Sequence, residues 1–528
     1  MNAVRDLPSQ TDADAMHTAE FLRVKGMAER GVAQAQHTLG FMYVNGQGVA
    51  RNLELAVAWY RMAASNGMAQ AQYNLGVMYQ KGQGVEQDFG QAVHWYERAA
   101  TQGYAPAQYN LGWLYAKGHG VANDVGQALH WFSQAAEQGE PGAQHNLGMM
   151  FETGKGVAQD QEAALAWYRR AAGQGYARSQ YNLGLRYDSG QGVARDPAQA
   201  LAWLRKAAEG RHAPAQFNLG LRYDKGQDVA RDGAQAILWY GRAAEQGHAS
   251  SQFNLALIYE VGHSGGNGVA RDESLALHWY RRAAEQGHAG AQDSLGMRHE
   301  HGQGVAQDAT QAAGWYRRAA EQGLPAAQYH LGQLHDAGNG VPQDAAQAAD
   351  WYRKAAEQGH LRAQFDLGLR YEGGIGVTRD SSQALAWYRR AASQDYAPAQ
   401  YMVGLLIDRL DAGAQSEAAD WFHKAADQQH ALAQFELGLR YDCGKGVEQD
   451  VEAAHFWYLC AARQGHARAQ FNLGVMIAAG QGVQRDLVEA YAWLQRAGAA
   501  GVAQASRYLT RVAATMEPHM IEQAQKLL

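Results

Sequence analysis

The sequence predicts an all-α protein built as a linear stack of helix pairs, and three observations carry that expectation. Trp59, Trp95, Trp131, Trp167, Trp203 and Trp239 stand 36 residues apart, and the spacing resumes through Trp279, Trp315, Trp351 and Trp387 to Trp493. Within each period, two stretches place apolar residues at helical spacing. Between them lies a turn of the form Gly-x-Gly-Val. A strict period of this length describes a quasi-one-dimensional fold whose units pack on their neighbours, so folding produces a long surface. That favours binding over catalysis. A core that grows lengthwise also lets 528 residues fold as one continuous repeat domain.

Residues 68–103 show the unit element by element. In the first helix Ala71, Leu75, Met78 and Tyr79 form the stripe that an amphipathic helix buries. Glycines at 82 and 84 then supply positive φ after the helix, and the pair recurs at 118/120, 154/156, 190/192, 302/304, 338/340, 374/376, 444/446 and 480/482. Asp228 replaces the second glycine once, and Asp tolerates that conformation. These loops are turns and not phosphate cradles, because GxxxxGK[ST] after a strand is absent. Asp88 with Gln91 opens the second helix in the manner of a capping box, repeated through Asp380/Gln383, and Pro197 takes the first helical position after Asp196. The second stripe is Phe89, Ala92, Trp95, Tyr96 and Ala99, small residues beside large rings, as close helix packing needs. Gly103 and its equivalents end the unit.

The unit AxAQYNLGxxYxxGxGVxxDxxxAxxWYxxAAxxG resembles the Sel1-like repeat, a relative of the tetratricopeptide (TPR) repeat with a longer, glycine-bearing turn. Asn74-Leu75-Gly76, Tyr79, Gly82, Gly84, Asp88, Ala92, Trp95, Tyr96, Ala99 and Ala100 match, and about a dozen copies follow. The resemblance implies a right-handed α/α superhelical solenoid of about thirteen helix-turn-helix units, acting as an adaptor that holds partner proteins, commonly in bacteria. Helix pairs spaced about 8–10 Å give a stack on the order of 100 Å.

Three departures mark the chain. The tryptophan step lengthens between Trp239 and Trp279 near His263-Ser264-Gly265-Gly266, and it shortens between Trp387 and Trp421, where the GxGV turn is missing. Residues 1–31 read as a tail and capping helix, with Arg23 where tryptophan would stand. Residues 32–502 form the solenoid. Residues 503–528 form C-terminal capping helices.

Net charge is −6, with basic and acidic residues interspersed, so nucleic acid binding lacks its electrostatic footprint. No run approaches 18 apolar residues, and the opening segment is not of secretory type, which predicts a cytoplasmic protein without a membrane partner. No cofactor or metal is expected. Cys443 and Cys460 provide neither a disulfide framework nor zinc spacing and read as ordinary buried residues, with a pairing between them the alternative. Histidines at 248, 288, 360, 430 and 466 recur singly and read as loop packing.

In related TPR superhelices peptides lie along the concave face lined by first helices. An aromatic row there comprises Tyr73, Tyr109, Tyr181, Phe217 and Phe253 and continues through Phe471. Four residues later come Val77, Trp113, Met149, Leu185, Leu221, Leu257 and Leu369. Acids follow, among them Glu152, Asp188, Glu300, Asp336 and Glu372. These rows either line an apolar groove edged with negative charge, suited to a protein or peptide ligand with apolar anchors and basic residues, or serve helix packing and solvated helix ends. The pairs Asn182/Arg186 and Asn218/Arg222 resemble part of a carboxylate clamp. In later repeats the same positions read Asp366/Arg370 and Glu436/Arg440, plain i,i+4 ion pairs, which favours a structural arginine row.

Two other functions compete with the adaptor. Self-association through poorly capped ends is one. The second is β-lactam hydrolysis, associated with cysteine-rich relatives, but S-x-x-K, HExxH and the repeated cysteine pairs are absent. Gly262-His263-Ser264-Gly265-Gly266 matches G-x-S-x-G without the strand that motif requires.

Overall fold

The computed structural model describes residues 10–262 and 270–527, with side chains described from residue 18 onward. The segment carrying His263, Ser264, Gly265 and Gly266 lies outside the described residues. The described chain contains 29 helices and no strand, numbered α1 to α29 in chain order. Helix α1 (Gln10–Glu29) precedes thirteen pairs, which run from α2 (Ala33–Asn45) with α3 (Leu53–Ser65) to α26 (Ala467–Ala479) with α27 (Leu487–Ala499). Helices α28 (Ala503–Ala513) and α29 (Pro518–Gln525) follow. The chain is an all-α solenoid in which the helices from α1 to α14, and again from α16 to α28, each pack against their sequence neighbours. Two compact units are distinguished, Met1–Ala276 and Leu277–Leu528.

Each boundary follows from local chemistry. Helix α4 (Ala69–Lys81) ends at Gly82, at φ 65°, and Asp228 adopts φ 57° where a glycine stands elsewhere. The second glycine of the turn has a further reason to be glycine. A Cβ on Gly84 would collide with the Leu53 carbonyl at the start of the preceding second helix, and Gly120, Gly340, Gly376, Gly446 and Gly482 abut the corresponding helix starts. Close approach, as well as φ, therefore dictates the residue.

The second helix α5 (Phe89–Ala100) begins at Asp88, whose carboxylate accepts from Gln91 N at 2.9 Å. The reciprocal half of a capping box does not form. Asp88 N donates instead to Tyr79 O at 3.0 Å, and Asp124, Asp160, Asp196 and Asp232 repeat that bond, so no donor remains for the Gln side chain. The N-cap expectation holds and the box is corrected. Where the next first helix begins, five histidines act as N-caps. His288, His360, His430 and His466 accept from Ala291, Ala363, Ala433 and Ala469, and His248 from Ser251. Loop packing understated their role.

The core repeats with the period. Tyr96 is fully buried in a cluster with Ala92, Ala99, Ala107 and Leu111. A Cβ on Gly76 would lie 2.7 Å from the Tyr96 ring, which explains the Leu-Gly pair of the first helix. Ala256 replaces that glycine once. Trp95 reaches back into the core of the preceding unit, and Arg98 covers its outer face at 5.4 Å from the ring centroid. The same i,i+3 cation covers Trp167, Trp203, Trp239, Trp279, Trp315, Trp351, Trp387, Trp421 and Trp493.

A glutamine ladder accompanies these rings. Gln72, 1% exposed, donates to Ala64 O at 3.1 Å and accepts from Gln102 at 2.7 Å, and Gln108, Gln216, Gln328 and Gln434 repeat both bonds. Each glutamine thus satisfies a helix-end carbonyl of the preceding repeat.

At the ends, α1 occupies the place of a second helix and buries Phe21, Val24 and Ala28, leaving Arg23 exposed. Pro518 begins α29, which packs on α27. The short repeat joins α22 (Ala397–Leu410) to α23 (Gln415–Asp427) by a tight turn in which Gly413 N donates to Asp411 Oδ1 at 2.8 Å.

Candidate functional site

The first helices carry every predicted site residue, and the structure separates those residues into buried connectors and an exposed row. The aromatic row is half-buried. Tyr73 lies 5.8 Å from Tyr96 and 5.4 Å from Tyr104, Phe217 contacts Tyr240 and His248, and Tyr181 contacts His212. Tyr109 packs on Phe132 at 6.0 Å, and Phe253 is likewise half-buried. The rings therefore bridge each second helix to the next repeat, and the packing alternative describes most of their surface.

Four residues on, the row faces solvent. Met149, Leu185, Leu257 and Leu369 are each about two-fifths exposed, Phe41 nearly half, and Val77, Trp113 and Leu221 partly. One such residue in every repeat except 325–360, where Gln333 takes the position, makes an apolar stripe on the first-helix face of each unit. Scattered exposed leucines are ordinary, whereas a periodic stripe on one face is the kind of surface partners use.

The arginines do not form a clamp. Arg186 has a side chain only 3% exposed and pairs with Glu152 of the previous repeat at 2.9 Å. Arg222 pairs with Asp188 at 2.7 Å and with Asp228. Both guanidinia are spent inside the stack, so a peptide carboxylate would have to displace a resident acid. Arg370 and Arg440 likewise reach back to Asp336 and Asp408, which replaces the expected i,i+4 pairing with an inter-repeat one. Asn218 donates to Tyr181 Oη at 2.9 Å, while Asn182 lies beside Tyr168 Oη.

Many of the acids are occupied as well. Tyr168 Oη donates to Glu152 at 2.5 Å, Tyr316 to Glu300 at 2.7 Å, Tyr352 to Asp336 at 2.7 Å and Tyr388 to Glu372 at 2.9 Å. Burial first, and then the neighbouring carboxylate, push these phenols far above the ordinary tyrosine range. They are donors at every physiological pH. The acid row is therefore chiefly a set of inter-helix connectors and not a free negative edge. Sequence reasoning missed this acid–tyrosine–arginine linkage because its members sit in different repeats.

At the joint between repeats 105–140 and 141–176 the three linkage positions read Ala116, Phe132 and Met150, all apolar, and a pocket of about 430 Å³ opens there. Tyr109, Trp113 and Met149 line it, with Asn146 as a polar group and Lys117, Lys155 and Arg178 around it.

Cys443 and Cys460 are both free thiols, and neither is fully buried as the sequence suggests: Cys443, at the end of its helix, is exposed, and Cys460 is half-buried, enough to raise its thiol. Among the described residues no cluster of three or more His, Cys, Asp or Glu is placed to hold a metal, and no helix is long and apolar enough to cross a membrane.

Thirteen consecutive segments, from 33–68 to 467–502, match the family model described as Sel1 repeat. Among solved structures, the chain is similar to a protective antigen present in uropathogenic Escherichia coli strains and displaying an SLR fold. Identity is 34%, covering 89% of this chain and 93% of that one, with a TM-score of 0.54. A Sel1 repeat protein from Oxalobacter formigenes is 32% identical, over 47% of this chain and 96% of its own, with a TM-score of 0.42. Comparison with curated protein sequences returned no match. Because the matched segments run almost from end to end, the chain belongs to the Sel1 repeat family.

Proposed function

We propose that this protein is a non-enzymatic scaffold that binds segments of partner proteins along the first-helix face of its repeats. The observation that carries the reading is the solvent-facing row of Met149, Leu185, Leu221, Leu257 and their equivalents, set on helices whose buried arginines Arg186 and Arg222 are already engaged between repeats. A rigid, apolar, periodic stripe suits an extended or helical segment with anchors at regular spacing. Repeat proteins of the Sel1 and TPR type are generally protein-interaction scaffolds, which supports the same reading.

Within it, Trp113, Leu185 and Leu221 make contact with the ligand. The half-buried edges of Tyr73, Tyr109, Tyr181, Phe217 and Phe253 form the floor, and Asn182, Arg186, Asn218 and Arg222 fix the spacing of the helices beneath. The test is an array of amphipathic peptides probed with the full chain. Retained peptides should lose about tenfold in affinity for a Leu185→Ser, Leu221→Ser variant of unchanged helicity. An array that retains nothing, together with a mass that grows with concentration in light scattering, would replace the scaffold reading with self-association.

A further inference from the structure

The first-helix face is not uniform, and its most distinctive place lies between α6 (Ala105–Lys117) and α8 (Pro141–Thr153), against α7 (Val125–Glu137). In most other repeats an acid on one first helix holds a tyrosine of the second helix, an arginine of the next first helix, or both, although Val44, Gln80 and Ala478 also leave their joints without the acid. Here Ala116 stands in place of the acid, Phe132 in place of the tyrosine and Met150 in place of the arginine. The linkage is gone and the pocket of about 430 Å³ occupies its place, a size within the range of small-ligand and side-chain pockets.

The absence of the acid has a second effect. Lys117, Lys155 and Arg178 are exposed around this pocket and make no ion pair among the described residues, whereas Lys445, at the turn position of Lys155, is held by Asp408 at 2.5 Å. An apolar pocket flanked by three uncompensated cations is complementary to an apolar anchor carried by an acidic segment.

We propose that this pocket is an anchoring site for an acidic segment of a partner protein. The segment inserts an aromatic or long aliphatic side chain against Tyr109, Trp113 and Met149 and places carboxylates beside Lys117, Lys155 and Arg178. The assignment rests on the scaffold reading and gives it a partner chemistry opposite to the basic one the acid row suggests.

Fluorescence anisotropy on the full chain tests it with three labelled, C-terminally amidated twelve-residue peptides: one rich in Glu and Asp around a central Trp, one with Lys replacing the acids, and one with Ala replacing the Trp. The acidic Trp peptide should bind at least about tenfold tighter than either other, weaken as salt rises, and lose about tenfold in a Lys117→Glu, Lys155→Glu, Arg178→Glu variant. These side chains are exposed, so the variant keeps its fold, and unchanged circular dichroism checks this. Preference for the Lys peptide, lost on Leu185→Ser, Leu221→Ser instead, would overturn the inference and leave the scaffold standing. Acidic binding indifferent to the triple charge reversal would also overturn it. No binding by any peptide would remove both.

Discussion

The two units use different chemistry at one position of the first helix, immediately after the aromatic row. In Met1–Ala276 that position is Thr38 in the first repeat and Asn at 74, 110, 146, 182, 218 and 254. In Leu277–Leu528 it reads Ser294, His330, Asp366, Met402, Glu436 and Asn472. The neutral amides make hydrogen bonds between neighbouring first helices, as Asn74 does with His37 and Asn218 with Tyr181. The second unit makes the same bonds with titratable groups. Tyr329 donates to Asp366 at 2.9 Å, and His330 meets Asp293 at 2.9 Å. Burial raises the carboxyls of Asp366 and Glu436, more than nearby arginines lower them. The fold thus accepts varied side chains there, Met402 among them, but only the second unit acquires carboxyls with raised pKa at that place.

The largest expected contrast comes from the inter-repeat arginines. Arg440→Ala removes a fully buried guanidinium and leaves Asp408, whose side chain is 19% exposed, with Lys445 alone, and should cost about 2–4 kcal/mol in urea unfolding of the second unit. Arg186→Ala leaves Glu152, 34% exposed and still held by Tyr168, and should cost about 1–3 kcal/mol in the first. Equal losses would break the comparison.

A pH contrast comes next. A carboxyl raised in the folded state contributes stability in full below its unfolded pKa and loses it as pH rises through the folded value. Asp366→Asn with Glu436→Gln should therefore raise the melting temperature at pH 7 and leave it unchanged below pH about 4. A variant no more stable at pH 7 than the parent would refute the burial argument. His145 behaves oppositely, because burial lowers it to about 4. Its contribution is full above the unfolded value near 6.5 and is lost as pH falls from there through about 4, so His145→Phe should flatten the acid sensitivity of residues 141–176 in hydrogen exchange.

The smallest effect serves as a control. Arg170→Ala and Lys424→Ala each uncover a tryptophan face and should cost about 0.5–1 kcal/mol in their own units. A large inequality would place the difference between units in their packing instead of in that polar row.

Much of this architecture was legible from residues. Helices, glycine turns and aspartate caps announce themselves because their causes are local: positive φ at Gly82, an N-cap at Asp88, a stripe containing Leu75. Arg440 was misread for the complementary reason. Glu436 is its neighbour by helical spacing, yet Asp408 of the preceding repeat takes the charge, and only packing reveals that choice. The Gln72 ladder left a signal, one glutamine per repeat at a position that becomes buried, but nothing in the helical rhythm says where its amide goes. The pocket was legible only as a combination, Ala116, Phe132 and Met150 where most repeats carry an acid, a tyrosine or an arginine, and the acid is missing at Val44, Gln80 and Ala478 too.

The second turn glycine has a consequence for how such a chain is made. Because Gly84 closes over the start of α3, and Gly482 over the start of α25 (Val451–Arg463), each joint is completed by residues that are synthesised later. Growth from the ribosome is thereby directional: each turn that carries this glycine closes against the start of a helix synthesised before it. Shortening the chain by whole repeats at the C-terminus leaves one unsealed helix start, whereas shortening it at the N-terminus leaves a turn with nothing to close upon. Duplication of a repeat anywhere within the array restores both halves of the joint, so the length of the stack is free to change without a new interface having to be invented.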